Sequence, residues 1–577
     1  MQAVAVDYDG TLTDADVPDE AVLEALRTAR AGGLAVVLVT GRILSELRTV
    51  FPGVEEEFDA IVAENGAVLC DAGGIQDLVT PVDAGLARTL ARREIPVRQG
   101  RVLLACDAQH AGAVFEEVMR LGIDGQVVRN RGALMVLPSG VTKGSGLIEA
   151  LGNLGISRHS TLGVGDAEND HQLLAACELG AAVANAVEPL KAHADIVLDQ
   201  PHGAGIIELL SGPVVAGTKR VPPRRWQLRL GHDDEDNPVH VPASQQNLLL
   251  TGGSGSGKSY LTGLLIEQLV QLDYSVLVLD REGDHQGLGD RRGILTVGGA
   301  RRLPTAQELT ALLRHRFGSV VVDLSQLDEH AQHTYLADVV PSMLAQRAVT
   351  GLPHWLFLEE AHSLLADAGL WHGLQEQLSG LCLSSYRPDT LPTMLHDELD
   401  LFVLSAGNGH GNEAATSYVA EQTGQPCSQL TEQLAGHPQG RALLVHRNGR
   451  EPTPFTVGRR SSGHVRHWHK YINGELPPAH RFYFEPHPQH RIAANLQEFH
   501  RHLGACPSAS VARHAHHHDF SNWIRSVLQD LELAQEIVVA ERSLQHNDHY
   551  VEEVRDAVRN AIERRYLETT PPPSSTP

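Results

Sequence analysis

Two carboxylates two residues apart, Asp7 and Asp9, stand in Asp7-Tyr8-Asp9-Gly10-Thr11. They follow Val4-Ala5-Val6, an apolar β-prone run that reads as a short buried strand. Gly10 lets the chain turn away sharply. Open α/β sheets hold ligands at the carboxyl ends of their strands. Two acids at i and i+2 in that place can share one site. One would act as nucleophile and the other as general acid and base, and together they would attract Mg2+. The alternative is a solvated turn with acids by chance. A second phosphate-binding pattern follows the apolar run Asn247–Thr251, in Gly252-Gly253-Ser254-Gly255-Ser256-Gly257-Lys258-Ser259. An amphipathic helix is expected over Tyr260–Leu272, so this is a Walker A loop in its strand-loop-helix frame. Its glycines let backbone N–H groups curl around phosphate oxygens, and the helix terminus adds positive potential. Lys258 would reach the terminal phosphates and Ser259 a Mg2+ ion. A flexible Gly-Ser linker is the bland alternative.

The strands that would position the first pair continue the pattern. The run 34–39 enters Thr40-Gly41-Arg42. Lys143, one of five lysines in the chain, follows Ser139-Gly140-Val141-Thr142. An acidic loop follows in Gly165-Asp166-Ala167-Glu168-Asn169-Asp170. In this order the four motifs resemble the haloacid dehalogenase (HAD) superfamily. Ala63-Glu64-Asn65-Gly66 and Val183-Ala184-Asn185-Ala186 resemble its Cof-type branch. The resemblance spans residues 1–210 and implies a Rossmann-like phosphatase with a small C2-type cap. It places the metal on Asp7, Asp166 and the Asp9 backbone carbonyl, with Asp170 at the metal site orienting its ligands, Asp7 as nucleophile and Asp9 as acid and base. Thr40 and Lys143 would hold phosphate oxygens. Gly41, Arg42, Asn65 and Asn169 are candidate substrate contacts, and for Arg42, Asn65 and Asn185 a loop-structural role is the alternative. An acid at position 9 points to a phosphatase or phosphomutase. The cap, about 81–138, reads as helix over 83–93, strand over 101–106, helix over 108–121 and two strands over 126–137. Its small size suggests a small phosphorylated metabolite, a sugar or organic-acid phosphate. Arg129 and Arg131 would meet a substrate anion or simply be solvated.

Further along, Val276–Asp280 and Trp355–Leu358 are apolar strands, and the second ends in Glu359-Glu360-Ala361-His362. With Leu381–Ser385 and Arg387-Pro388 this resembles the HerA/FtsK group of P-loop ATPases over residues 226–460. The resemblance implies ATP or another NTP at the loop, Glu359 on Mg2+, Glu360 activating water, and in many members a homo-oligomer moving nucleic acid or protein. Two departures weaken the motor. The Walker B acid is Glu359 where Asp is usual, and Tyr386 stands near the expected amide sensor. Arg387 and Arg447 are the candidate arginine fingers, against plain surface arginines.

At 577 residues the chain is too long for one core. Its formal charge of −24 disfavours a broad nucleic-acid surface. Six scattered cysteines form no C-x-x-C pair, which fits a reducing compartment. No apolar run reaches membrane-spanning length, and the amino terminus enters a strand at once. A cytoplasmic protein without membrane contact is expected. The fold class is α/β: a Rossmann-like HAD domain at 1–213, a linker at 214–225, a RecA-like P-loop domain at 226–460, and a mostly helical domain at 461–567. Helices are expected over 519–533 and 536–567, and residues 568–577 form a Pro/Ser/Thr tail expected to be disordered. The basic-aromatic runs 466–471 and 481–484 would stack on bases or fill a core. His514, His516, His517 and His518 would bind metal or be surface histidines. Three functions compete: a Mg2+-dependent phosphatase governed by its NTP-binding domain, a nucleic-acid motor with accessory phosphatase, and a nucleotide-responsive scaffold.

Overall fold

In the computed structural model the described residues are 1–577 except 131, 254, 315–317, 368, 370, 372–373, 375–378, 407–411, 436–439, 462–480, 485–491, 529–530, 544–549 and 568–577. The calls on Arg131, Ser254, residues 466–471 and the tail therefore lie outside them. The chain divides into two compact units, residues 1–280 with 287–463, and residues 281–286 with 464–577.

The first unit carries two large sheets. One runs in the order Ile196–Val197, Leu179–Ala182, Thr161–Gly165, Ala3–Asp7, Ala35–Val39, Ala60–Ala63, Val68–Asp71, Gly74–Asp77. Its strands pair in parallel as far as Ala60–Ala63. The central strands are buried on both faces, which is why they read as unbroken apolar runs. The last two strands form an antiparallel hairpin that sequence patterning missed, because Gly74–Asp77 is an exposed polar edge. The cap is a four-stranded antiparallel sheet, Arg98–Gln99, Leu104–Asp107, Ala133–Pro138, Gly125–Asn130, with helices Ala84–Arg92 and Ala111–Leu121.

The second sheet has its parallel centre at Leu401–Ser405, Asn247–Thr251, Leu381–Ser385, Trp355–Leu358, Val276–Asp280, Ser319–Asp323 and Ile294–Gly298. Antiparallel strands Arg441–His446, Thr453–Val457, Gln227–His232 and Pro238–Pro242 extend one edge. The helix after the phosphate loop runs Lys258–Gln271, two residues earlier than its apolar pattern suggests, because Lys258 itself opens the first turn.

The segment expected as a linker is packed. Val214, Val215 and Val221 lie against the first core, and Arg220 pairs with Asp400 at 2.9 Å. Beside it a buried polar seam joins the two sheets. Glu178 accepts hydrogen bonds from Tyr274 Oη at 2.9 Å and from Ser244, and meets His159 Nδ1 at 2.7 Å. His159 Nε2 reaches the Leu272 carbonyl at 2.6 Å, and its ring stacks on Tyr274 at 3.7 Å. The Leu272 carbonyl only accepts, so Nε2 carries the hydrogen in that contact. Every one of these residues sits where a strand begins. Arg158–Ser160 precede Thr161–Gly165, and Glu178 precedes Leu179–Ala182. Tyr274 and His354 precede Val276–Asp280 and Trp355–Leu358. The phosphate motifs lie at the opposite, carboxyl ends of both sheets.

The second unit is helical, with Leu496–Gly504, Ser508–His516, Asp519–Trp523, Leu531–Ser543 and Val551–Ile562. The first two helices were not expected, since the His-rich stretch reads as polar. Val511, His514 and Ala515 nevertheless line one buried face. Phe482 and Phe484 are buried among Phe499, Phe520 and Trp523, so these aromatics fill a core instead of offering a stacking surface. His514 hydrogen-bonds Asp519 at 2.7 Å and His518 pairs with Glu541 at 3.0 Å. Among the described residues no helix is long and apolar enough to cross a membrane.

Candidate active site

Asp7 ends the central strand of the first sheet and Asp166 follows its neighbour Thr161–Gly165, so parallel pairing brings both carboxylates to one edge. Asp170 joins them. The three are buried, and their nearest carboxylate oxygens lie within 4.8 Å of one another. Asp170 is aimed by the loop itself, its Oδ2 accepting the Asp166 and Ala167 N–H groups at 2.9 Å. Lys143 donates to Asp7 at 2.5 Å and to Asp170 at 2.6 Å. It opens helix Lys143–Leu154, capped by Thr142, whose Oγ1 accepts the Ser145 N–H at 3.0 Å. Gly66, at φ 106°, lets that helix approach, since a β-carbon there would run into the Thr142 carbonyl.

Three buried carboxylates against one ammonium leave an excess of negative charge that a further cation would compensate. Burial, then the Asp170 charge, push Asp7 well above the usual carboxylate range, with Lys143 opposing. Burial disfavours the Lys143 ammonium, but Asp170 and Asp7 outweigh it and hold its pKa above the ordinary lysine value. This donor set, all hard oxygens, fits Mg2+.

Asp9 faces elsewhere. Arg42 grips its carboxylate through Nε at 3.0 and 3.1 Å and Nη2 at 2.6 Å, with the guanidinium over the Tyr8 ring at 4.9 Å. The carboxylate is thus apart from the buried cluster, leaving the Asp9 main-chain carbonyl as the atom the resemblance gives to the metal. Arg42, expected as a substrate contact, is engaged with Asp9. Thr40 is fully buried, and its Oγ1 accepts the Arg42 N–H at 3.1 Å. Asn169 donates to Asn65 at 3.4 Å, and its own Oδ1 is buried without a hydrogen-bond partner. A cleft of about 770 Å3 opens between core and cap, lined by Asp9, Gly41, Arg42, Glu46, Arg98 and Met135 among others. Arg129 is exposed on the cap and does not line it.

Three contributors escaped the sequence reading, and a fourth, Asn185, was left there between two roles. Thr11 Oγ1 donates to Asp166 at 3.1 Å, and His202 Nδ1 lies 2.9 Å from the Gly10 carbonyl. Asn185 donates to that same carbonyl at 2.8 Å, so the loop-positioning alternative is the geometry seen. Glu64 is fully buried, and its carboxylate accepts N–H groups of Arg101, Val102 and Leu103 at 2.9 to 3.1 Å, tying cap to core. Only Thr11 had a local signal, a hydroxyl two residues after Asp9.

At the second sheet Lys258 Nζ donates to the Gly252 and Gly253 carbonyls at 3.2 and 3.0 Å. Gly255 and Gly257 take positive φ of 75° and 97°, and Ser256 is buried, while Ser259 follows on the helix. Glu359 is buried one strand removed from the loop strand. Glu360 holds a left-handed backbone at φ 52°, its carboxylate 3.4 Å from His362 Nδ1. His362 lies 3.2 Å from Ser385 Oγ and packs edge-on against Tyr386 at 4.7 Å. Arg447 hydrogen-bonds the His396 carbonyl and Gln422. Arg387 is exposed.

A family model described as haloacid dehalogenase-like hydrolase matches residues 4–79 and 102–210, and one described as the central domain of helicase HerA matches residues 238–303. Among curated relatives, the phosphoglycolate phosphatase of Methanothermobacter thermautotrophicus is 33% identical over 36% of this chain and 96% of its own length. That of Archaeoglobus fulgidus is 31% identical over 36% and 95%. Phosphoglycolate phosphatase 2 of Saccharolobus solfataricus is 28% identical over 36% and 90%.

Proposed function

Since this chain belongs to the haloacid dehalogenase-like hydrolases, and with them to the phosphoric monoester hydrolases, we propose that it is a Mg2+-dependent phosphatase working through an aspartyl-phosphate on Asp7. The observation that carries the reading is the buried cluster of Asp7, Asp166 and Asp170 gripped by Lys143. These three side chains and the Asp9 carbonyl would hold Mg2+, which when bound neutralises charge on the phosphate and the carboxylates. Lys143 and Thr40 orient the phosphoryl oxygens. Asp7 attacks phosphorus in line, and the bond to the leaving oxygen breaks as Asp9 gives that oxygen a proton. Asp9 then takes a proton from water as the water attacks the aspartyl-phosphate, releasing inorganic phosphate and restoring Asp7. The relatives' names favour a compact phosphorylated carboxylic acid such as phosphoglycolate.

We further propose that residues 226–460 bind ATP at the 252–259 loop, and that nucleotide state modulates the phosphatase through the seam around Glu178. A HerA-like motor is the second reading, favoured by the match over residues 238–303. Purified Asp7→Asn protein tests the chemistry: phosphate release from phosphoglycolate should vanish, and release at the wild-type rate would sink it. DNA-stimulated ATP turnover by hexamers would favour the motor.

A further inference from the structure

Two guanidinium groups stand on the wall of the cleft beside Asp9. Arg42 is committed to Asp9 by three hydrogen bonds. Arg98, on the short cap strand Arg98–Gln99, makes one, from Nη1 to Glu46 Oε2 of the core helix Leu44–Val50 at 2.9 Å. Both partners are half-exposed, at 55% and 38% of the side chain. A guanidinium offers five N–H donors in a fork that matches a carboxylate with two parallel bonds. Glu46 shows that a carboxylate fits against this one, from the core side of the cleft. Arg98 also lies in the stretch between residues 79 and 102, outside both segments matched by the family model, so the family pattern does not assign it.

We infer that Arg98 is the specificity-determining residue for the carboxylate of the substrate, and that Glu46 occupies its place until such a substrate enters. The inference rests on the carboxylate-bearing substrate proposed above. A phosphorylated acid brings a second anion into the cleft and exchanges with Glu46 on Arg98. A monoester with an uncharged leaving group has nothing to exchange and leaves the Arg98–Glu46 pair closed, so the pair selects against it. Because the pair is exposed to water, replacing either side chain removes little stability.

Steady-state kinetics of the full-length protein with phosphoglycolate and with p-nitrophenyl phosphate test this. The readout is the ratio of kcat/KM for the first substrate over the second. Arg98→Gln should lower that ratio about 10- to 100-fold, chiefly through KM for phosphoglycolate, the value of hydrogen bonds to a charged group. Arg98→Lys should restore part of it. Glu46→Gln should raise the ratio, because it removes the competing carboxylate. Opposite signs for the two variants are what a merely structural pair would not produce. A ratio unmoved in Arg98→Gln, or moved the same way in both variants, overturns the inference while leaving the proposed substrate standing. A wild-type protein with no preference for phosphoglycolate overturns the proposed substrate and this inference with it.

Discussion

Asp9 and Lys143, the proposed general acid and phosphate clamp, occupy an open and a buried position. Asp9 faces the cleft beside Arg42, where a leaving group can reach it, whereas Lys143 is sealed among Asp7 and Asp170. Asp9→Asn should therefore lower kcat by about 10²–10⁴-fold, the usual worth of a general acid, with the buried cluster intact. An unchanged kcat with p-nitrophenyl phosphate would be uninformative, because that leaving group needs little protonation. Phosphoglycolate is the substrate to use, and a wild-type kcat with it would remove Asp9 from the mechanism. The candidate residues are readable from local sequence because each sits in a short motif, at a strand end or, for Lys143, at a helix start. Their partners are not. Nothing in the spacing of Glu64, Asn185 or His202 says that one ties down the cap and two hold the Gly10 carbonyl.

Loop 100–103 illustrates how an element is held. Three of its N–H groups end on one carboxylate, and Glu64 adopts φ 54° to present it. Glu64→Ala would leave those donors buried without an acceptor, at about 1–3 kcal/mol each before relaxation. A loss of several kcal/mol in denaturant unfolding is expected, with Glu64→Gln retaining most of the stability. Equal stability of Glu64→Ala and wild type would show that water replaces the carboxylate. The seam gives a second case. Glu178→Ala takes the acceptor from the Tyr274 and Ser244 hydroxyls and the partner from His159, and should cost about 1–3 kcal/mol for each buried group left unsatisfied. Burial, then the nearby His159 and Arg347, hold His354 well below the ordinary value of 6.5. The folded protein keeps this ring neutral, while the unfolded chain takes up a proton below about 6.5, so stability should fall as pH drops beneath that point. A melting temperature flat between pH 7 and 5, or a slope unchanged in His354→Asn, would contradict this.

Within the first unit the two phosphate sites occupy the far ends of sheets that meet where their strands begin. The proposed coupling would have to cross the seam, from Tyr274 before Val276–Asp280 to Glu178 and His159, which precede Leu179–Ala182 and Thr161–Gly165. Lys258→Ala is accordingly expected to alter kcat or KM for phosphate release in the presence of saturating ATP. Identical kinetics would mean two independent catalysts on one scaffold. Residues 1–213 expressed alone should melt below the full chain, because Glu178 and His159 would lose Tyr274, Ser244 and the Leu272 carbonyl.

The apolar central strands, and the acids, lysines and glycines of the two candidate phosphate motifs, are legible in the chain's own pattern, since hydrophobic period and turn residues act over a few positions. Pairing across 155 residues, as between Thr11 and Asp166, is not a local property. Tertiary packing alone decided that Asp9 turns to Arg42, that the linker is part of a core, and that the two sheets share a buried charge network. Those outcomes depend on which surfaces meet, and solvation of a charge is set by everything that surrounds it.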